Sequence, residues 1–184
     1  MPGGRLNRGA LREPIGTQRL VLEPFRPDHA EALFAGLQDR RIYEWISAAP
    51  PRSVERLRER MTNALREREG EGIGLAWLAM RAADGACVGK LDAEVLARGI
   101  ATNVGYMFFP PHWGQGYASE AVRALADHLA GAGVREQRAT VTVGNEASCR
   151  VLERAGFVRK RIIAGNDTIR GKVVDDVEYV RRDR

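Results

Sequence analysis

The sequence predicts a mixed α/β domain, α+β in layout, with a mostly antiparallel central sheet flanked by helices. Three observations predict it. Runs of alternating apolar and polar residues recur along the chain, and Asp84-Gly85 joins two of them as a tight hairpin would. Other stretches carry apolar residues at i, i+3, i+4 and i+7, the period of a helix with one buried face. A single crossover over residues 100–143 interrupts the order β-α-α-β-β-β-α-β-α-β-β.

Residues 1–16 hold Gly3, Gly4, Gly9, Pro14 and Gly16 among scattered arginines, which predicts a loose N-terminal arm ahead of a single domain over 17–184. The first strand is TQRLVLEPFR, residues 17–26, with Leu20 and Leu22 on one face and Pro24 marking an edge or bend. Asp28, with Glu31 three residues on, predicts a capped helix whose stripe is Ala30, Leu33, Phe34 and Leu37. Ser53 caps a second helix with Val54, Leu57, Met61, Ala64 and Leu65 buried. Its charge run from Arg56 to Glu69 reads as a solvated face, ended by Gly70, Gly72 and Gly74. Strands follow at 75–81, 86–97 and 100–109, the last stopped by Pro110 and Pro111. A helix after residue 116 buries Ala118, Ala121, Val122, Leu125, Ala126 and Leu129, and a strand spans 137–143. Asn145 caps a short helix that Gly156 ends, and residues 157–163 and 172–182 form the last strand pair.

Composition narrows the functional classes. The chain has 184 residues, enough for one domain with a real core, and 44% of them are hydrophobic. The longest uncharged window, residues 99–119, is broken by Thr102, Asn103, Pro110 and Pro111, so it is no membrane span. The first twelve residues lack the apolar stretch of a secretory signal, which predicts a cytoplasmic setting. Two cysteines and three widely separated histidines give no metal-ligand spacing, so no metal is expected. The net charge is +5, and 26 of the 29 basic residues are arginine. That bias is explained first by GC-rich codon usage; as a basic surface it points as much to a phosphorylated small molecule as to nucleic acid. Nucleic acid is disfavoured, because no aromatic strand motif or helix-turn-helix pattern accompanies the arginines.

Two segments carry candidate chemistry. In VGYMFFPPHWGQGYASE, residues 104–120, a strand runs into a short glycine loop and then a helix. Backbone N–H groups at a helix start make an anion site that glycines leave open. The same loop is also an ordinary tight turn, and it matches neither a dinucleotide fingerprint nor a Walker A loop. In GNEASCRVLERAGF, residues 144–157, Asn145 and Ser148 share the first turn of a helix. They suit capping, and they suit a polar ligand lying along the helix end. Cys149 reads as a small packed side chain, and His112 sits near the glycine loop.

Together these segments resemble the GNAT acyltransferase superfamily, within it the RimJ/RimL branch of ribosomal-protein N-terminal acetyltransferases. The opening TQRLVLEPFRPDHAEAL is similar to the first strand and helix of that branch. VGYMF followed by WGQGYASEA resembles its acetyl-CoA loop, and NEASCRVLERAGF its Asn-containing helix. GKVVDDVEY, with Asp175 four residues before Tyr179, resembles its last strand. The likeness runs from Thr17 to Arg182.

The resemblance implies a GNAT-like sheet and an acyl-CoA N-acyltransferase domain that uses acetyl-CoA as donor. Backbone groups of Met107, Phe108 and Phe109 would pair with pantetheine as a strand. Amides of Gln115, Gly116, Tyr117, Ala118 and Ser119 would hold the pyrophosphate, Gly114 and Gly116 would leave room for it, and Asn145 would hydrogen-bond the pantetheine arm. Where many members carry an acidic Tyr on the last helix, this chain has Leu152, and the RimJ/RimL branch gives that role to the serine matching Ser148. Where many carry a glutamate base, Asn103 stands, and Trp113 opens the loop in place of Gln or Arg.

The implied reaction is direct attack of a primary amine, on a peptide N-terminus or a small molecule, on the thioester. Ser148 would protonate the leaving thiolate. Base candidates acting through water are Glu94 first, then Asp92 and Glu44, each of which also reads as a surface carboxylate. Tyr43, Glu44 and Trp45 would shape the acceptor pocket, although both aromatics also suit a core. The alternative is a non-catalytic acetyl-CoA sensor, which Asn103 keeps open. Either a monomer or a homodimer fits.

Overall fold

The structure is a computed structural model that describes residues 6–65 and 72–183. Eight strands form one sheet: β1 (Ile15–Gly16), β2 (Leu20–Pro24), β3 (Ile73–Arg81), β4 (Cys87–Leu96), β5 (Ile100–Phe108), β6 (Glu136–Thr142), β7 (Val158–Ile169) and β8 (Lys172–Arg182). Four helices accompany them: α1 (Ala30–Phe34), α2 (Val54–Ala64), α3 (Tyr117–Gly131) and α4 (Glu146–Arg154). The strand order is β1-β2-β3-β4-β5-β6-β8-β7, and every pair is antiparallel except β5 with β6. That exception is the predicted crossover, with α3 as its connection.

Period-2 alternation sends apolar side chains to both faces of the sheet, and each face has its own core. On one, Leu75, Trp77, Leu91, Val104 and Val177 meet Ala121, Val122, Leu125 and Leu129 of α3 and Leu152 of α4. On the other, Leu78 and Phe109 meet Leu33 of α1, Leu57 and Met61 of α2, and Tyr43. Ser53 caps α2 as its spacing predicts, its hydroxyl accepting from the Arg56 N–H at 3.2 Å. The end of the Arg56–Glu69 charge run lies outside the described residues, as do Met1–Arg5 of the predicted arm.

Two expectations need correcting. The segment before Thr17 is no loose arm where it is described. Leu11 is fully buried, and β1 pairs with β2, because this stretch covers an otherwise open end of the first core. The helix expected from Asp28 to Leu37 is also broken. Pro27–His29 and Gly36–Gln38 are 3-10 turns around the short α1. Asp28 does not cap it; its carboxylate faces Arg26 at 3.5 Å, and the His29 Nδ1 accepts from the Arg26 N–H instead. The second break falls where Gly36 lies against the Phe109 ring so closely that a Cβ would collide with it.

Candidate active site

β5 and β6 pair only at Ile100–Glu136 and Ala101–Gln137, then splay apart. The N–H of Phe109 donates to Val88 O across the β4 side at 2.9 Å. Alternation along the strand then turns the backbone groups of Gly105 and Met107 toward β4, and those of Val104, Tyr106 and Phe108 toward the gap. Phe108 O is already used, by the Trp113 indole N–H at 2.6 Å. The gap continues into a cleft of about 610 Å³. Its walls are β5, the glycine loop, the start of α3, the ends of β6 and β8, and α4.

At one end of the cleft, α3 begins at Gly116 with no side-chain cap. The first N–H groups of a helix have no partner within it, so those of Tyr117, Ala118 and Ser119 are available to an anion. Gly114 and Gly116 hold φ of 74° and 82°, the left-handed region that only glycine adopts without cost. Arg19 pins this loop. Its guanidinium donates to Gln115 O at 2.9 Å, lies 4.7 Å above the Tyr117 ring and pairs with Glu120 at 2.7 Å. Glu120 also accepts from the Thr17 hydroxyl and the Arg19 N–H. Burial alone would raise its carboxyl pKa, but these hydrogen bonds bring it below its ordinary value.

At the other wall, Asn145 Oδ1 caps α4 by accepting from the Ser148 N–H at 3.2 Å. The Ser148 hydroxyl lies 2.6 Å from the Tyr106 hydroxyl, which also reaches Ser148 O at 3.0 Å. Burial pushes the Tyr106 phenol well above its ordinary range, with the Ser148 bond offsetting part of that, so it stays a neutral donor. α4 is fixed from behind by Tyr179, whose hydroxyl donates to Glu153 at 3.0 Å, and by Arg123, which donates to Arg154 O.

Of the residues the sequence singled out, the structure brings together in one lining Met107, Phe108, Gly114, Gly116, Tyr117, Ala118, Ser119, Asn145, Ser148, Glu44 and Trp45. Gln115 and Phe109 lie outside it, Phe109 because it is buried in the second core with its N–H spent on β4, and Met107, though in the lining, turns its backbone to β4, which corrects its expected pairing with pantetheine. Tyr43 is also a core residue, its hydroxyl donating to Leu37 O at 2.8 Å, so its role in an acceptor pocket is corrected. Glu94 is exposed beyond the lining and accepts from the Thr102 hydroxyl at 2.9 Å, which removes it from the site. Asp92 lies over Gly105, paired with Lys90. Sequence reasoning missed Tyr106, because it shares a strand face with Val104 and Phe108 and reads as core. It missed Arg19 and Glu120, whose partners lie about a hundred positions away.

Residues 19–158 match the family model described as the Acetyltransferase (GNAT) domain. The chain belongs to the GNAT acetyltransferase family. Among curated relatives of this GNAT chain, "Uncharacterized N-acetyltransferase YoaA" of Bacillus subtilis (strain 168) is 26% identical over 151 residues, 81% of this chain and 85% of the relative. "Uncharacterized protein YkkB" of the same strain is 31% identical over 132 residues, covering 67% and 65%. Among solved structures, RimL, a ribosomal L7/L12 α-N-protein acetyltransferase in complex with coenzyme A, superposes with a TM-score of 0.82. It is 22% identical, covering 92% of this chain and 98% of that one, which shows a shared fold.

As a GNAT enzyme the chain is an acetyl-CoA-dependent N-acetyltransferase. Its cleft suits that donor on its own geometry: free strand edge for the pantetheine amides, uncapped helix N–H groups for the pyrophosphate, and the Ser148 hydroxyl in the same lining beside Tyr106. Among the described residues no cluster of three His, Cys, Asp or Glu is placed to hold a metal, and no helix is long and apolar enough to cross a membrane.

Proposed function

We propose that the chain acetylates a primary amine, on a peptide N-terminus or a small molecule, by direct attack on the thioester. The observation that supports this reading most strongly is the splay of β5 from β6, which opens the sheet to both faces at one point. The helix face offers the donor's anion and amide contacts. The opposite face, lined by Glu44 and Trp45, offers a second entrance for the acceptor.

Acetyl-CoA, when bound, supplies an activated acyl carbon. Backbone groups of Val104 and Tyr106 align the pantetheine arm as an added strand. Asn145, which already holds the Ser148 N–H, keeps the first turn of α4 in place beside that arm. Ser148 gives its hydroxyl proton to the departing sulfur while taking the Tyr106 proton from 2.6 Å away, and the proton that the acylated amine sheds returns to Tyr106 through solvent. An α-amine, with a pKa of about 8, is partly neutral at pH 7 and needs less from a base than a lysine at about 10.4. Peptide N-termini therefore head the acceptor classes for a site in which Asn103 stands at the cleft in place of a carboxylate. The solved structure of an acetyl transferase from Salmonella typhimurium, described as modifying the N-terminal serine of ribosomal protein L7/L12, shares this fold with a TM-score of 0.81 at 21% identity, covering 94% of this chain and all of that one.

The test is thiol release from acetyl-CoA with a panel of free-amine peptides and small amines, read beside the mass of each acceptor. Amine-dependent CoA release with one acetyl group added to the acceptor supports the reading. Donor binding without turnover on any amine contradicts it in favour of a sensor.

A further inference from the structure

Asp176, on β8, is 95% shielded from solvent, lines the cleft, and is used by nothing in the mechanism above. Its Oδ2 accepts from Asn166 Nδ2 at 2.6 Å, while its Oδ1 is buried without a hydrogen-bond partner. No cation among the described residues pairs with it, although Arg161 pairs with its neighbour Glu178 at 2.8 Å. A buried carboxylate with an unused oxygen is costly unless something fills the vacancy.

Its position says which face of the cleft it serves. Val177 and Tyr179 point into the core beneath α3 and α4, so Asp176 points to the opposite face. Ala139 and Val141 of β6 share that core, which sends Thr140 and Thr142 to Asp176's side, and Thr142 is its partner across the ladder. On β5 the matching residues are Asn103, Gly105 and Met107. This face is therefore opposite the helix that receives the anion. Trp45 closes over it: Thr142 donates its hydroxyl to Trp45 O at 3.2 Å, and the indole ring covers Gly144. Asp167 lines the same cleft from β7.

We infer that Asp176 is the anchor for the acceptor's amine on the face opposite the donor, receiving N–H hydrogen bonds from the incoming ammonium, which gives one proton to solvent before its lone pair attacks. The inference rests on the acetyl-transfer reading and adds to it the residue that receives the acceptor: a buried carboxylate flanked by Thr140 and Thr142. Asn166 holds one carboxylate oxygen and leaves the other for the substrate. Charge-assisted hydrogen bonds of this kind are the strong ones, so Asp176 discriminates a free amine from its neutral amide.

The experiment measures binding by thermal shift, with and without CoA, of n-butylamine and of free-amine Ala-Ala-Ala amide, each beside its N-acetylated form. Asp176→Asn keeps the shape and can still accept from Asn166, but presents an N–H where the substrate needs an acceptor. Wild type is expected to prefer each free amine by about tenfold or more, and the variant to lose that preference with CoA affinity unchanged within about twofold. Asp176→Ser is run beside it, and whichever variant melts cooperatively decides. A variant that keeps the preference overturns the inference, and so does a wild type that binds CoA but neither amine. A wild type that fails to bind CoA overturns the donor reading alone, because the amine arm still reports on Asp176.

Discussion

The hydroxyls of Ser148 and Tyr106 lie 2.6 Å apart, joining the first turn of α4 to the splayed strand β5. Two protons are shared among the Ser148 hydroxyl, the Ser148 carbonyl and the Tyr106 hydroxyl, so the serine is oriented and has a route for re-protonation. Ser148→Ala is expected to lower kcat about 10²-fold and Tyr106→Phe about tenfold, with the KM for acetyl-CoA little changed. The double variant should be no slower than Ser148→Ala alone, since the two act as one unit. Steady-state kinetics on the three variants checks this, and additive losses would separate the two residues.

Gly116 is held at φ 82° where α3 starts. Gly116→Ala places a Cβ in the left-handed region, at a cost of about 1–2 kcal/mol, and puts a methyl group beside the N–H groups meant for an anion. The expected result is a lower Tm together with weaker acetyl-CoA binding, by about tenfold. Titration calorimetry distinguishes this from a purely conformational effect, which would lower Tm and leave affinity intact.

Glu120 ties Thr17 and Arg19 to the first turn of α3, and its folded pKa lies below its ordinary value of 4.5. A depressed carboxylate contributes stability that is complete above the unfolded pKa and is lost as pH falls through the folded one. Melting followed from pH 6 downward should show Tm dropping more steeply in wild type below about pH 4.5 than in Glu120→Gln, which lacks this contribution throughout. Equal slopes would mean the clamp contributes nothing.

Leu11 is fully buried beside Ile15 and Leu20. Leu11→Ala is expected to destabilise the chain by about 2–5 kcal/mol, as for other core leucines. Denaturant unfolding measures it. A change within ±0.5 kcal/mol, typical of a surface position, would return this segment to the status of an arm.

Much of this architecture is legible because local signals and tertiary packing agree. Ser53 and Asn145 are caps in sequence and caps in the fold, and the glycine loop opens a helix as expected. Asp84-Gly85 makes its turn, with Gly85 at φ 69°. What was not legible depends on contacts distant in sequence. Leu11 is core because the sheet's first strands leave a gap it fills. Tyr43 is core because its hydroxyl finds Leu37 O, and nothing in its neighbours distinguishes that from a pocket. The backbone alternation that turns Tyr106 rather than Met107 toward the cleft is set by the β4–β5 register, which a one-residue slip would reverse. Asp175 and Asp176 are adjacent in sequence, and the spacing to Tyr179 does not say which of them the fold buries: Asp175 is exposed and accepts from the Gly165 N–H, while Asp176 is buried in the cleft.

The most direct test of the account is a thermal-shift titration with acetyl-CoA, with free CoA and ATP beside it. At about 100 times Kd, binding adds roughly 2.7 kcal/mol, which for a chain of this size raises Tm by about 5–10 °C. That rise is expected with acetyl-CoA and CoA, with little from ATP, and at about half the size in Gly116→Ala at the same ligand concentration. No rise with either thioester or thiol would contradict it, because the gap between β5 and β6 would then hold no pantetheine arm.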